Sequence, residues 1–106
     1  MSLKWPNKDP DEQLDYSIDW GPALDTDTIS SLVWKIFDEN GTLQTWSDSQ
    51  IVNGLQLISR TNTNTVATIV LGSGTAFTIY KIVCRMTASD TTIREQEVRI
   101  RVVEKN

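Results

Sequence analysis

Histidine is absent from this sequence of 106 residues, and cysteine occurs only once, at Cys84. Acyl transfer by a serine or cysteine nucleophile usually relies on a histidine base, so the composition argues against such an enzyme. Zinc sites combine several cysteine and histidine ligands, which this chain cannot supply. The carboxylates show no pairing that would indicate a glycosidase. We therefore expect no catalytic site, no metal and no cofactor.

Long apolar runs are also missing. No segment approaches the roughly 18 apolar residues that span a bilayer, which argues against a membrane partner. Residues 1–9 lack the apolar core of a signal peptide, and a lone cysteine cannot form an internal disulfide. These features predict synthesis and folding in a reducing cytoplasm.

Basic residues are too few for general binding of nucleic acid, since the net charge is −4 and the sequence pI is about 4.6. The charge is unevenly distributed. Residues 1–27 carry two lysines and seven carboxylates, whereas residues 81–106 carry six basic and four acidic residues. The acidic beginning and the basic end would attract each other, either within one molecule or between neighbouring copies in an assembly.

Residues 14–106 alternate between short apolar segments and turn signals, as in an all-β domain. In residues 14–20, the apolar side chains of Leu14, Tyr16, Ile18 and Trp20 share one face. Asn40-Gly41 predicts a type I′ hairpin turn, and Asn53-Gly54 predicts another turn. No window shows helical spacing over three turns. Further strands are predicted at 29–37, 43–46, 55–59, 66–71 and 77–87, and in a last segment whose core side holds Val98, Ile100 and Val102.

This pattern predicts an immunoglobulin-like β-sandwich of about seven antiparallel strands. Trp34 is the expected core tryptophan, Trp20 lies either at the core edge or on the surface, and Trp46 covers the hairpin end. Tyr80 bears a loose likeness to the tyrosine corner of such folds.

Residues 1–13 are polar, contain Pro6 and Pro10 and show no periodicity, so we expect an extended N-terminal arm before the domain at 14–106. Trp5 is the one aromatic residue of this polar arm, which offers it no apolar segment to pack against. It either docks back on its own domain or anchors in a partner, as interface tryptophans do. Removal of residues 1–13 is expected to leave the domain folded and to abolish assembly.

Two stretches carry a family resemblance. Lys4-Trp5-Pro6-Asn7-Lys8-Asp9-Pro10, followed by Leu14-Asp15-Tyr16-Ser17-Ile18-Asp19-Trp20, is similar to the opening of small virion proteins of tailed bacteriophages. The run from Asp27 to Trp34 and the final hairpin, from Tyr80 to Arg101, resemble the same proteins. The chain thus resembles the phage fibre-tail adaptors, which are expected to be Ig-like domains.

The resemblance implies a non-catalytic structural protein of the virion tail, made in the host cytoplasm. Its implied partners are tail tube, baseplate or fibre subunits, with multiple copies in a symmetric assembly. The resemblance also indicates which positions to test at a partner interface, and these are Trp5, Asp9, Pro10, Asp15, Tyr16 and Trp20.

A second function remains open at this point, namely a free-standing Ig-like module that binds a ligand or carbohydrate. Exposed aromatic residues beside polar loops would mark it, and Trp20 and Trp46 are the candidates.

Overall fold

The structure, a computed structural model, describes residues 3–104 and contains nine strands and one short helix in that range. The elements are β1 (Leu3–Lys4), β2 (Leu14–Asp19), α1 (Gly21–Leu24), β3 (Ile29–Phe37), β4 (Leu43–Thr45), β5 (Ile51–Val52), β6 (Leu55–Asn62), β7 (Val66–Ser73), β8 (Thr78–Ala88) and β9 (Ile93–Val102).

The strands form two sheets, one of five strands in the order β1-β9-β8-β3-β4 and one of four in the order β2-β7-β6-β5. The chain crosses between the sheets after β1, β2, β4 and β7, and hairpins join β3 to β4, β5 to β6, β6 to β7 and β8 to β9. This arrangement is that of an immunoglobulin-like sandwich. The predicted all-β sandwich is confirmed, with β1 and β5 as two additional short strands.

One pairing differs from the antiparallel expectation, because β1 runs parallel to β9. Two other details were also predicted incorrectly. β6 extends to Asn62 because Thr61 and Asn62 pair with β7, which shortens the expected polar link. The single turn of α1 was missed because four residues are too few to show helical periodicity.

The two Asn-Gly turns differ from each other. Asn53 and Gly54 both have positive φ, at 50° and 87°, as a type I′ turn requires. In the β3–β4 hairpin only Gly41 has a positive φ, at 79°, and Asn40 does not. The type I′ prediction was therefore wrong for this turn. The Asp38 carboxylate accepts hydrogen bonds from the backbone N–H groups of Asn40 and Thr42, each at 2.9 Å. The side chain therefore holds a longer loop, which suits a type I turn followed by a bulge.

The core lies between the sheets and follows the predicted faces. Tyr16 and Ile18 face inward from β2, and Trp34 is buried on β3. Trp20 is buried as well, and Trp46 is fully buried, with its indole N–H donating to the carbonyl of Gln50 at 3.1 Å. The inward residues of β8 and β9 are Tyr80, Ile82, Cys84, Met86, Val98, Ile100 and Val102.

Tyr80 joins two loops at one end of the sandwich. Its hydroxyl donates to the carbonyl of Asn53 at 2.7 Å and accepts from the backbone N–H of Thr75 at 2.8 Å. A buried tyrosine bonded to the backbone a few residues upstream is the tyrosine-corner geometry of Ig-like folds.

Candidate docking surface

The segment before β2 packs on the sandwich. Trp5 is only 7% exposed, and its ring stacks on Tyr16 with centroids 4.8 Å apart and planes 20° apart. Its backbone N–H donates to the carbonyl of Arg99 at 2.9 Å, and its ring centroid lies 6.3 Å from that of Trp34. Of the two alternatives for Trp5, the structure shows docking on its own domain.

Lys8 fastens the same segment. Its side chain is fully buried, and Nζ donates to the carbonyls of Asp9 at 2.8 Å and Ser73 at 2.6 Å. The backbone of Lys8 also bonds to β9 and to Val103, which directly follows β9. The Lys8 N–H donates to the carbonyl of Arg101 at 3.0 Å, and the Lys8 carbonyl accepts from the N–H of Val103 at 2.7 Å. Sequence reasoning missed Lys8, because a lysine in a polar segment is ordinarily exposed.

Asp9 and Pro10 form a tight turn. The carbonyl of Asp9 accepts from the backbone N–H of Glu12 at 3.0 Å, and the Glu12 carboxylate accepts from the N–H of Asp9 at 2.8 Å. The Asp9 carboxylate accepts from the N–H of Asp11 at 2.9 Å. Proline at the second position suits such a turn. Asp9 is buried and Pro10 half-buried, so both shape the chain before β2.

The remaining three candidates lie on or next to β2. Tyr16 is buried, its hydroxyl donates to the carbonyl of Pro6 at 3.3 Å, and burial together with the nearby charge of Glu12 raises its pKa to about 12. Trp20 is buried directly after the strand, whereas Asp15 is exposed. The structure therefore brings Trp5 and Tyr16 together, and of the six candidates it leaves Asp15 fully at the surface and Pro10 partly so.

The exposed apolar residues are concentrated on the five-stranded sheet. Phe77 is 73% exposed and directly precedes β8, and Ile79 on β8 is 61% exposed. Ile51, at 59%, lies on the other sheet. Six of the seven large apolar residues exposed within residues 3–104 lie on or beside the five-stranded sheet, and they are Leu3, Val33, Leu43, Phe77, Ile79 and Ile93.

The basic residues are concentrated on the same sheet. Its strands carry seven of the ten lysines and arginines of the chain and only two carboxylates. Lys81 pairs with Arg99 across β8 and β9, and Arg99 pairs with Lys4 across β9 and β1. Ile79 pairs with Arg101 in the adjacent row. We call the outward surface formed by Lys4, Ile79, Lys81, Arg99 and Arg101 the basic face.

A groove of about 390 Å³ runs along the basic face, with Leu3 and Ile79 among its lining residues. Interface cores are enriched in large apolar side chains and arginine. The groove therefore has the chemistry of a protein-binding surface. Sequence reasoning missed it because strand order and register together decide which residues lie side by side.

Other kinds of site receive no support from residues 3–104. This range holds no group of three or more acidic, cysteine or histidine side chains placed to bind a metal ion. None of its helices has both the length and the apolar character needed to cross a membrane.

A comparison with protein families decides what kind of protein this is. Residues 8–101 match the family described as podophage GP4 fiber-tail adaptor protein gp77. The chain belongs to this family. The match spans β2 to β8 and most of β9, and it confirms the predicted resemblance to the phage fibre-tail adaptors. A comparison with curated proteins gave no match.

Membership in the adaptor family gives the chain a structural role in the phage tail, where adaptors bind other tail or fibre proteins. Ile79, Lys81, Arg99 and Arg101 of the basic face lie within the matched residues, whereas Leu3, Lys4 and Trp5 precede them.

Proposed function

We propose that this adaptor is non-catalytic and joins tail or baseplate components to fibres, with its basic face docking on a neighbouring virion subunit. The observation that carries the proposal is the concentration of exposed apolar and basic side chains on one sheet. Exposed apolar surface of this kind is typical of interaction sites. Repetition around a symmetric tail would strengthen contacts that are individually weak.

The buried candidate residues have a supporting role in this proposal. Trp5 and Tyr16 hold the N-terminal segment against the sandwich, which places Lys4 beside Arg99. Asp9 and Trp20 are also inside the protein. We propose that these four residues set the shape of the docking surface, and that Asp15 and Pro10 are the candidates positioned for direct contact with a partner.

The alternative function, a free-standing ligand- or carbohydrate-binding module, depends on exposed aromatics at Trp20 and Trp46. Both side chains are buried, at 5% and 0% exposure. Their burial removes the stacking surface that sugar recognition would use, and it favours the adaptor proposal.

The proposal is tested by adding a charge to the basic face. In a phage that lacks the gene, Ile79→Asp supplied from a plasmid should yield particles depleted of both adaptor and fibres. The new carboxylate removes apolar area from the docking surface and pairs with Arg101 of the same molecule, so it competes with the carboxylates of a partner. Quantitative mass spectrometry of purified particles measures both proteins against the major capsid protein.

Ile51→Asp is the matched control, because Ile51 is equally exposed but lies on the opposite sheet. It should give particles with wild-type stoichiometry, and both variants should show wild-type melting. Wild-type levels of adaptor and fibre in Ile79→Asp particles would overturn the proposal.

A further inference from the structure

Three cations stand side by side on the basic face. Lys4, Arg99 and Lys81 occupy directly opposed positions on three adjacent strands. Like charges directly opposite each other destabilise a sheet. Arg99 has one acidic neighbour, because its Nε lies 3.8 Å from Oε2 of Glu97. Within residues 3–104 no carboxylate forms an ion pair with Lys81 or Arg101. The row therefore favours a partner that brings carboxylates.

The opposite surface of the sandwich has the complementary charge. Asp15 and Asp19 point outward from β2, and the exposed Asp11 precedes it; we call these three residues the acidic strip. The strands of the four-stranded sheet contain one cation, Arg60, which is engaged by Asp48 at 2.8 Å.

The apolar neighbours are complementary too. Val70 pairs with Asp15, and Val66 pairs with Asp19, so each carboxylate has a half-buried valine beside it. On the basic face, Ile79 has the same relation to Arg101. Each surface therefore alternates charge with apolar area, and the two carry opposite signs.

The two surfaces do not meet within one molecule, because they lie on opposite sheets and no ion pair in residues 3–104 joins them. We propose that the basic face of one copy docks on the acidic strip of the next. Contact between two different surfaces of the same chain is heterologous, and it forms a ring when the rotation closes. This inference rests on the proposed function and identifies the neighbouring subunit as a second copy of this chain.

Charge reversal tests the pairing in the gene-deleted phage. Lys81→Glu/Arg101→Glu and Asp11→Lys/Asp15→Lys should each lower the titre of infectious particles by at least about tenfold, since each cancels much of the charge of one surface and places like charges opposite each other at the substituted positions. The quadruple variant restores opposite charges at these positions and should recover most of the wild-type titre. Co-expression of the two double variants should also restore infectivity, because alternating copies are complementary.

Controls separate this pairing from a general effect of charge. Asp25→Lys makes the same charge change as a single Asp→Lys substitution in the acidic strip, but at an exposed position after α1, and should leave the titre unchanged. All variants should melt as the wild type does.

The outcomes distinguish the inference from the proposed function. A defective quadruple variant, or a fully active Asp11→Lys/Asp15→Lys variant, would show that the basic face binds a different virion protein. The pairing of copies would then be wrong and the adaptor proposal would stand. A fully active Lys81→Glu/Arg101→Glu variant would contradict both.

Discussion

Lys8 is the residue whose environment departs most from its ordinary behaviour. A lysine is rarely buried completely, because removal of its ammonium group from water must be compensated by hydrogen bonds or charge. Here two backbone carbonyls accept from Nζ, and one of them, at Ser73, lies 65 residues away in the chain. The side chain thus connects the N-terminal segment to the end of β7.

We expect Lys8→Met to lower the free energy of unfolding by about 2 kcal/mol, because it leaves the carbonyls of Asp9 and Ser73 without this donor. Urea denaturation measures the change. Lys81→Met, at an exposed position, is the control and should change stability by less than about 0.5 kcal/mol. Equal stability of the two variants would mean that Lys8 does not fasten the segment.

Cys84 leads to a prediction about alkaline pH. Burial raises the pKa of its thiol from 9.0 to about 12, and a smaller effect of the Trp20 side chain opposes this. The unfolded chain therefore releases this proton at lower pH than the folded protein does. The stability associated with the neutral thiol is complete below pH 9 and is lost as the pH rises towards 12.

The pKa of Tyr16 is raised from 10.0 to about 12, so this group adds to the loss of folding stability only above pH 10. We therefore expect the free energy of unfolding to fall between pH 9 and 10, and to fall less steeply in Cys84→Ala. Urea denaturation at several pH values tests this. Parallel profiles for the two proteins would exclude the thiol as the cause.

At the scale of elements, the alternation of apolar residues was enough to predict the main strands. β3 was predicted residue for residue, and β2 ends one residue earlier than expected. Turn types were less predictable, because the Asp38 carboxylate determines the loop that Asn40-Gly41 alone indicated as type I′. The position of the N-terminal segment was also beyond the sequence, since the partners of Trp5 and Lys8 lie in distant strands.

Trp5 provides the test of how firmly this segment is held. Trp5→Ala should lower the free energy of unfolding by about 4 kcal/mol, because it removes a buried ring stacked on Tyr16. Trp5→Phe keeps an aromatic ring there and should lose less than half as much. Urea denaturation followed by far-UV circular dichroism measures both.

Removal of residues 1–13 would also remove the contacts of Trp5 with Tyr16 and of Lys8 with Ser73. We now expect a domain that folds with reduced stability, which the Trp5→Ala measurement would quantify. Wild-type stability of Trp5→Ala would instead indicate that the segment leaves the sandwich in solution.

At the scale of the whole molecule, the distribution of charge was visible in the sequence but its placement was not. The pattern of β9 already indicated that Arg99 and Arg101 face solvent. Only the register of β1, β8 and β9 shows that Lys4 and Lys81 flank Arg99. The sandwich then separates this surface from the carboxylates of β2 by its full thickness.

Phe77, which directly precedes β8, has an unfavourable backbone conformation. Its φ of 64° lies in the left-handed region, which is unfavourable for a bulky side chain, and its ring is largely exposed. Such strain tends to persist at functional positions. The location of Phe77 immediately before β8 fits its use as an apolar anchor beside the basic face.

The parallel alignment of β1 and β9 has a mechanical consequence. The chain enters β1 at one end of this strand pair and leaves β9 at the other. Tension pulling these two segments apart therefore acts along the strands, and the hydrogen bonds of Trp5 and Lys8 to β9 are loaded together in shear. Loading in shear stretches these hydrogen bonds at the same time, so the strand pair resists such tension without breaking one bond after another.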